Sequence, residues 1–269
     1  MKRLDKRLVE EGHCSSREQA KKSIQSGEVT VNGIIVDKVA RQVKEEDVIA
    51  IKQSPCPYVS RGGLKLAKAM EGFGLFLEGK TAMDVGASTG GFTDCMLQNG
   101  ARLVYAIDVG YGQLDWKLRK DERVSVFERT NFRKMMEESI SEKVDFFTMD
   151  VSFISVRKLT EALLLFLKED GEGVVLIKPQ FEAGRSFVGK NGIVRDGKVH
   201  KRVVIDIIED FENKGLFFRG LDYSPVKGAK GNIEYLLWVT RDHSKRAEAD
   251  AELREKQILE VIDRAFSRL

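Results

Sequence analysis

Two groups of residues in this chain have the types and spacing for chemistry. The first is the stretch Met83-Asp84-Val85-Gly86-Ala87-Ser88-Thr89-Gly90-Gly91-Phe92-Thr93, with three glycines among six residues between an apolar strand and a helix start. Such glycines let the backbone turn sharply and approach a ligand closely. A strand, a glycine turn and a helix together gather free N–H groups beyond the strand's carboxyl end. A dinucleotide fingerprint needs G-x-G-x-x-G and an acid at the end of the next strand. Here the second glycine, which admits a pyrophosphate, is missing, and an acid already stands at Asp84. That carboxylate repels phosphate and suits a cationic amino acid. Asp108, closing the next apolar strand beside Val109, suits a pair of ribose hydroxyls. An adenosine bearing an amino-acid tail, S-adenosylmethionine, meets these demands; the competing reading is an ordinary strand-to-helix turn. Asn131 and Phe132, after a third strand, are candidate adenine contacts, with core packing as the rival role for Phe132.

The second group consists of polar residues set directly against apolar strands. Asp150 follows Phe146-Phe147-Thr148-Met149, Lys178 follows Val174-Val175-Leu176-Ile177, and Glu234 opens a last apolar strand. Ligands of open α/β sheets lie beyond the strands' carboxyl ends, and a lysine directly after a buried strand is poorly explained as solvated surface. Lys65, in the first turn of a helix that begins near Leu64, reads by itself as solvated surface.

The elements that position these groups alternate as in a parallel α/β sheet. Strands are predicted at 81–85, 102–107, 124–127, 144–149 and 173–177, and helices at 92–98, 114–119, 156–167 and 198–213. A closing antiparallel pair follows at 221–224 and 234–239. The tail 245–269 reads as a charged helix with Leu253, Ile258, Val261 and Ile262 as its apolar stripe, packing on the sheet or on a partner. Residues 1–53 form a separate small α+β unit. Leu4, Leu8 and Val9 mark a first helix, Ser15-Ser16-Arg17-Glu18 a capping box before a second, and Asn32-Gly33 a hairpin turn. Ser54-Pro55-Cys56-Pro57 reads as a stiff linker within 54–59. The larger domain then spans 60–244.

The small unit resembles the RNA-binding module named after bacterial ribosomal protein four of the small subunit. Arg3-Leu4-Asp5-Lys6-Arg7-Leu8, Ser16-Arg17-Glu18-Gln19-Ala20, Gly27-Glu28-Val29-Thr30-Val31-Asn32-Gly33 and Asp47-Val48-Ile49 carry the likeness. It implies RNA contacts at Arg3, Lys6, Arg7, Arg17, Lys21 and Lys22, against the alternative of solvated helix faces. From about Ser60 to Val239 the chain resembles the FtsJ-like 2′-O-ribose methyltransferases, whose catalytic tetrad matches Lys65, Asp150, Lys178 and Glu234. Ser60-Arg61-Gly62-Gly63-Leu64-Lys65, Asp108-Val109-Gly110-Tyr111-Gly112-Gln113-Leu114, Asp150-Val151-Ser152-Phe153 and Lys178-Pro179-Gln180-Phe181-Glu182 narrow this to a likeness to the TlyA family, often labelled hemolysin A. The resemblance implies a Rossmann-like fold with a mostly parallel seven-stranded sheet, S-adenosylmethionine bound at Asp84, Gly86–Phe92 and Asp108, and methylation of ribosomal RNA. Lys178 is then the base. It must be neutral to take a proton, which for a free lysine of pKa about 10.4 requires burial and a second cation, Lys65. Asp150 and Glu234 orient the lysines and the hydroxyl.

Composition fits this and excludes other classes. With 42% hydrophobic and 32% charged residues the chain can build a core, and no segment reads as a membrane span or secretory leader. The expected location is the cytoplasm. Cys14, Cys56 and Cys95 are scattered and the three histidines isolated, so neither a metal site nor a disulfide framework is expected. Net charge is only +3, but residues 1–22 hold seven Lys/Arg against four acids and residues 178–202 seven against two. A basic rim of Arg61, Arg185, Lys190, Arg195 and Lys198 therefore extends the expected RNA contact, with ribosomal RNA or ribosomal subunits as the partner. No feature sets the oligomeric state. An RNA base N-methyltransferase would need a D/N-P-P-Y/F loop, of which Asp150-Val151-Ser152-Phe153 keeps only the ends. A cytosine-C5 enzyme would need a cysteine nucleophile near the fourth or fifth strand, and a pore-former would need membrane-active segments; none is visible. A non-catalytic ribosome-assembly factor is the remaining alternative.

Overall fold

A computed structural model describes residues 1–14, 17–25, 27–51, 56–247 and 251–269, without the side chains of residues 18, 19, 22, 229 and 251. The proposed capping box at Ser15-Ser16 and the linker residues Ser54-Pro55 lie outside the described residues. The chain divides into two compact units, Met1–Cys56 and Pro57–Leu269.

In the first unit, β1 (Lys2–Arg3) leads into α1 (Leu4–Glu10), followed by α2 (Arg17–Gln25), β2 (Val29–Val31), β3 (Ile34–Ile35), β4 (Gln42–Val43) and β5 (Ile49–Ile51). The Asn32-Gly33 turn has positive φ at both residues, 53° and 80°, the requirement of a tight hairpin turn whose twist matches its strands. It sets Val31 opposite Ile34, and β2 pairs with β5 on its other edge. Leu4, Leu8, Ala20, Ile24, Val29, Val31 and Ile49 close a small core.

The second unit begins with α3 (Gly62–Phe73), then β6 (Thr81–Val85), α4 (Gly91–Gln98), β7 (Leu103–Ile107), α5 (Trp116–Arg119), β8 (Val124–Phe127), β9 (Val144–Met149) and α6 (Thr160–Phe166). It continues through β10 (Leu167–Ile177), α7 (Pro179–Glu182), α8 (Gly197–Asn213), β11 (Phe217–Tyr223), β12 (Tyr235–Thr240) and α9 (Ala251–Arg268). Among the described residues these strands form a seven-stranded sheet in the order β11-β12-β10-β9-β6-β7-β8. β12 runs antiparallel to both neighbours and the other pairings are parallel. This is the α/β sheet that the strand–helix alternation predicts, in the mostly parallel seven-stranded form that the family resemblance implies. Successive residues point to opposite faces: Met83, Val85, Val175 and Ile177 join α6, α8 and α9 in one core, while Ala82, Val174 and Leu176 join α3, α4 and α5 in the other.

Several expected boundaries shift. The helix expected over 156–167 is a 3-10 turn, Val156–Lys158, followed by α6, and β10 takes over at Leu167. Leu167 pairs with Val144, and the polar run after it carries a register irregularity before pairing resumes at Glu172, which makes it read as a loop in sequence. β11 starts at Phe217, ahead of the expected 221. The tail helix begins at Ala251, after a 3-10 turn at His243–Lys245. Ile258, Val261 and Ile262 are buried against α8, but Leu253 is about half exposed.

Candidate active site

β6 has β7 on one side and β9 on the other, so the strand order reverses at β6, and ligands of such sheets lie in the crevice that opens there. A cavity of about 390 Å³ occupies this position, within the ordinary range of small-ligand sites. Gly86, Ser88, Asp108, Val109, Asn131 and Phe132 line it, as does Asp150. Gly86 has φ +88°, and a Cβ there would lie 2.6 Å from the Asp150 carbonyl oxygen, so only glycine lets the loop run this close to β9. The Asp108 carboxylate accepts from the N–H groups of Ser88 (2.8 Å) and Gly110 (2.6 Å), which fixes it at the cavity wall with acceptor capacity left over. Phe132 lines the cavity and also packs its ring 5.6 Å from that of Phe166.

Other members of the loop are set back from the cavity. Asp84 is fully buried; one of its oxygens accepts from the Thr93 hydroxyl (2.6 Å) and the other from that of Thr148 (3.0 Å). Burial pushes this carboxyl up to about 6 against the opposing effect of those hydrogen bonds. The Asp84 carboxylate, expected to meet a cationic tail, here accepts from Thr93 and Thr148 and so braces β6 against α4 and β9. Ala87, Gly90, Gly91 and Phe92 are likewise buried, and Thr89 lies off the cavity wall. A Cβ on Gly91 would lie 2.8 Å from the Gly63 nitrogen, so this glycine brings α4 against the first turn of α3, the turn that carries Lys65.

Beside the cavity the four remaining candidates form two ion pairs. Lys178 Nζ lies 2.5 Å from Asp150 Oδ1 and donates to Ser152 Oγ at 3.0 Å. Lys65 Nζ donates to Glu234 Oε2 at 2.7 Å. Ile177 faces Tyr235 across the antiparallel ladder, so Lys178 and Glu234 are the next residues on adjoining strands. Lys65, Lys178 and Glu234 are all buried, and Glu234 is only 2% exposed. Burying charge is costly unless it is paired; two such pairs at one sheet edge are explained by chemistry better than by stability.

The FtsJ-like methyltransferase family matches residues 58–241. The chain belongs to that family. The S4 domain matches residues 2–49. The 16S/23S rRNA (cytidine-2′-O)-methyltransferase TlyA of Mycobacterium tuberculosis H37Rv is 40% identical over 98% of this chain and 97% of its own. Hemolysin A of Brachyspira hyodysenteriae is 43% identical over 87% of this chain and 98% of its own. A solved structure titled "Putative hemolysin from Streptococcus thermophilus" superposes with a TM-score of 0.79 at 41% identity, covering 99% of this chain and 96% of that one.

In the S4 domain the expected RNA contacts are of several kinds. Arg3 and Arg17 converge on the buried carboxylate of Asp5, at 2.9 and 2.8 Å, and keep part of their length exposed. The Arg3 guanidinium, with that of Arg17, holds the Asp5 carboxyl down to about 2 against its burial. Arg7 departs from the expectation of a free RNA contact: it pairs with Glu11 and donates to the carbonyls of Lys44, Glu45 and Asp47, stitching α1 to that loop. Lys6 is exposed and Lys21 partly exposed, and the Lys22 side chain lies outside the described ones. In the FtsJ-like domain Arg61 is exposed just before α3.

Sequence reasoning passed over three residues at this site. Ser152 holds Lys178, Gln113 lines the cavity with its amide 3.4 Å from the Ser88 hydroxyl, and Phe153 lines it while 91% exposed. Phe153 also has φ +66°, a left-handed conformation that is strained for an aromatic residue and is usually kept for function. The strain was not readable from the sequence. The aromatic directly after Ser152 was readable, as part of the loop Asp150-Val151-Ser152-Phe153 that leaves a strand.

Proposed function

We propose that the chain transfers a methyl group from S-adenosylmethionine to a ribose 2′-hydroxyl of ribosomal RNA. The observation that carries this is the pair of buried ion pairs, Lys178 with Asp150 and Lys65 with Glu234, set beside the cavity at the sheet's carboxyl edge. The matched family, the S4 domain and the activity named for the mycobacterial relative agree with it.

The cavity suits the donor on its own evidence. Asp108 presents a carboxylate already oriented by two N–H groups, which fits ribose hydroxyls, and Phe132 and Asn131 supply an apolar face and an amide for adenine. When bound, S-adenosylmethionine supplies the sulfonium methyl. The chain's own residues align the acceptor and move its proton. A ribose hydroxyl is a weak nucleophile, so its oxygen must be held in line with the methyl. Lys178 Nζ, in its neutral form, takes the hydroxyl proton, with Asp150 and Ser152 fixing the amine's direction. Lys65, held by Glu234, is the cation beside the reacting oxygen. Phe153, exposed beside Ser152, offers its ring to the base of the target nucleotide.

RNA is held by the exposed cations of the S4 domain and, in the FtsJ-like domain, by Arg185, Lys190, Arg195 and Lys198, all exposed. Ribosomal RNA as substrate implies action in the cytoplasm. No described helix is long and apolar enough to cross a membrane.

The test is transfer of labelled methyl to ribosomes and separated subunits, with the product mapped by primer extension sensitive to 2′-O-methylation. Label at a single ribose is expected. Label on a base would favour N-methylation, and no label with RNA still bound would favour an assembly role.

A further inference from the structure

Glu182 closes α7, one helical turn after Lys178, and its side chain is 2% exposed. Its Oε2 accepts from the Ser155 hydroxyl at 2.6 Å and its Oε1 from the Val156 N–H at 2.8 Å. Ser155 and Val156 end the loop that leaves β9, the loop carrying Asp150, Ser152 and Phe153. Lys178 grips the near end of that loop through Asp150 and Ser152, and Glu182 grips its far end. Between them the rings of Phe153 and Phe181 lie 5.1 Å apart.

A local role does not account for this. Ser155 stands at the N-cap of the 3-10 turn Val156–Lys158, where a serine ordinarily accepts from the N–H groups ahead of it. It makes no such cap here and turns its hydroxyl to donate to Glu182. The turn is capped instead by a carboxylate from another strand's exit, whose burial pushes its own pKa up against its two hydrogen bonds and the Arg157 guanidinium 3.8 Å away. A cap alone needs no such arrangement; a tie between two loops does.

We propose that Glu182 is a positioning residue for methyl transfer, holding the Asp150–Phe153 loop in register with Lys178. The inference rests on the reading of Lys178 and Asp150 as the residues that handle the acceptor's proton. A loop slip of about 1 Å costs on the order of 10²-fold in rate. Glu182→Ala is therefore expected to lower the single-turnover methylation rate by about that factor, with the dissociation constants of S-adenosylmethionine and of ribosomes unchanged. Ser155→Ala, which removes one of the two hydrogen bonds and leaves the rest of the fold intact, should lower the rate by a smaller factor, again with binding unchanged. The two changes together should cost no more than Glu182→Ala alone, because they break the same tie. A merely structural role would instead reduce binding and melting temperature along with the rate.

A Glu182→Ala protein with the wild-type rate, alongside an inactive Lys178→Ala, would overturn this inference alone. A Lys178→Ala protein with the wild-type rate would overturn the reading beneath it. If Glu182→Ala fails to fold, Ser155→Ala decides: an unchanged rate overturns the inference, and a lowered rate with intact binding supports it.

Discussion

Lys65 and Glu234 stand 169 residues apart in the chain and 2.7 Å apart in the fold. The pair joins the first turn of α3 to the start of the closing strand β12, and Glu234 is almost wholly buried. Truncating one partner of such a pair leaves a buried charge uncompensated, at a cost of about 3–5 kcal/mol. Glu234→Ala should therefore lower stability by that amount in denaturant titrations. Replacing both residues, Lys65→Met with Glu234→Leu, should recover much of the stability while leaving methyl transfer lost. This separates what the pair does for folding from what it does for chemistry.

Gly228 lies against the Glu234 carboxylate, and a Cβ there would fall 1.9 Å from Oε1. Gly228→Ala should push the carboxylate off Lys65. Methylation should fall by about 10²-fold, the cost of a misplacement near 1 Å, while S-adenosylmethionine affinity measured by calorimetry holds.

Asp84 gives the fold a pH signature. Its carboxyl ordinarily titrates at 3.8 and here at about 6, so the folded state holds the proton more tightly than the unfolded state. The stability this contributes is fully present below 3.8 and is lost as pH rises through about 6, for a total of about 3 kcal/mol. Asp84→Asn cannot titrate. Measured across that window, the wild type should therefore lose stability relative to Asp84→Asn as pH rises. Parallel curves for the two proteins would contradict the assignment.

Much of the site was legible because burial leaves a clear imprint on sequence. A lysine after Val174-Val175-Leu176-Ile177, or a glutamate before Tyr235-Leu236-Leu237, has no place on an ordinary surface, and the glycine turn after Asp84 announced its own geometry. What stayed hidden was direction. Asp84 sits in a strand whose side chains alternate between faces, and the sequence does not say that Thr93 and Thr148 enclose it. Arg7 belongs to a basic run, yet it reaches backbone carbonyls 37 to 40 residues away. Glu182 reads as one more charge in a helix until the loop after β9 is seen to end on it. The start of β10 was hidden for a different reason: its first residues are polar and irregularly paired.

Phe153 should matter more to substrate than to donor, since it lines the cavity wall but is 91% exposed. Removing its ring by Phe153→Ala should cost about 1–3 kcal/mol of base stacking, read as a lowered methylation efficiency on ribosomes at saturating S-adenosylmethionine. Phe153→Gly should show the same loss of activity with higher stability than the alanine variant, because glycine accepts the positive φ at this position without strain.

The most direct test is to digest ribosomal RNA to nucleosides after incubation with S-adenosylmethionine and either the wild-type protein or Lys178→Ala. The wild type should yield a single 2′-O-methylated nucleoside. The Lys178→Ala protein, folded and still binding S-adenosylmethionine, should be slowed by about 10²–10⁴-fold, the usual contribution of a positioned base. A methylated base in place of a methylated ribose, or an undiminished ribose product from Lys178→Ala, would contradict the proposed chemistry.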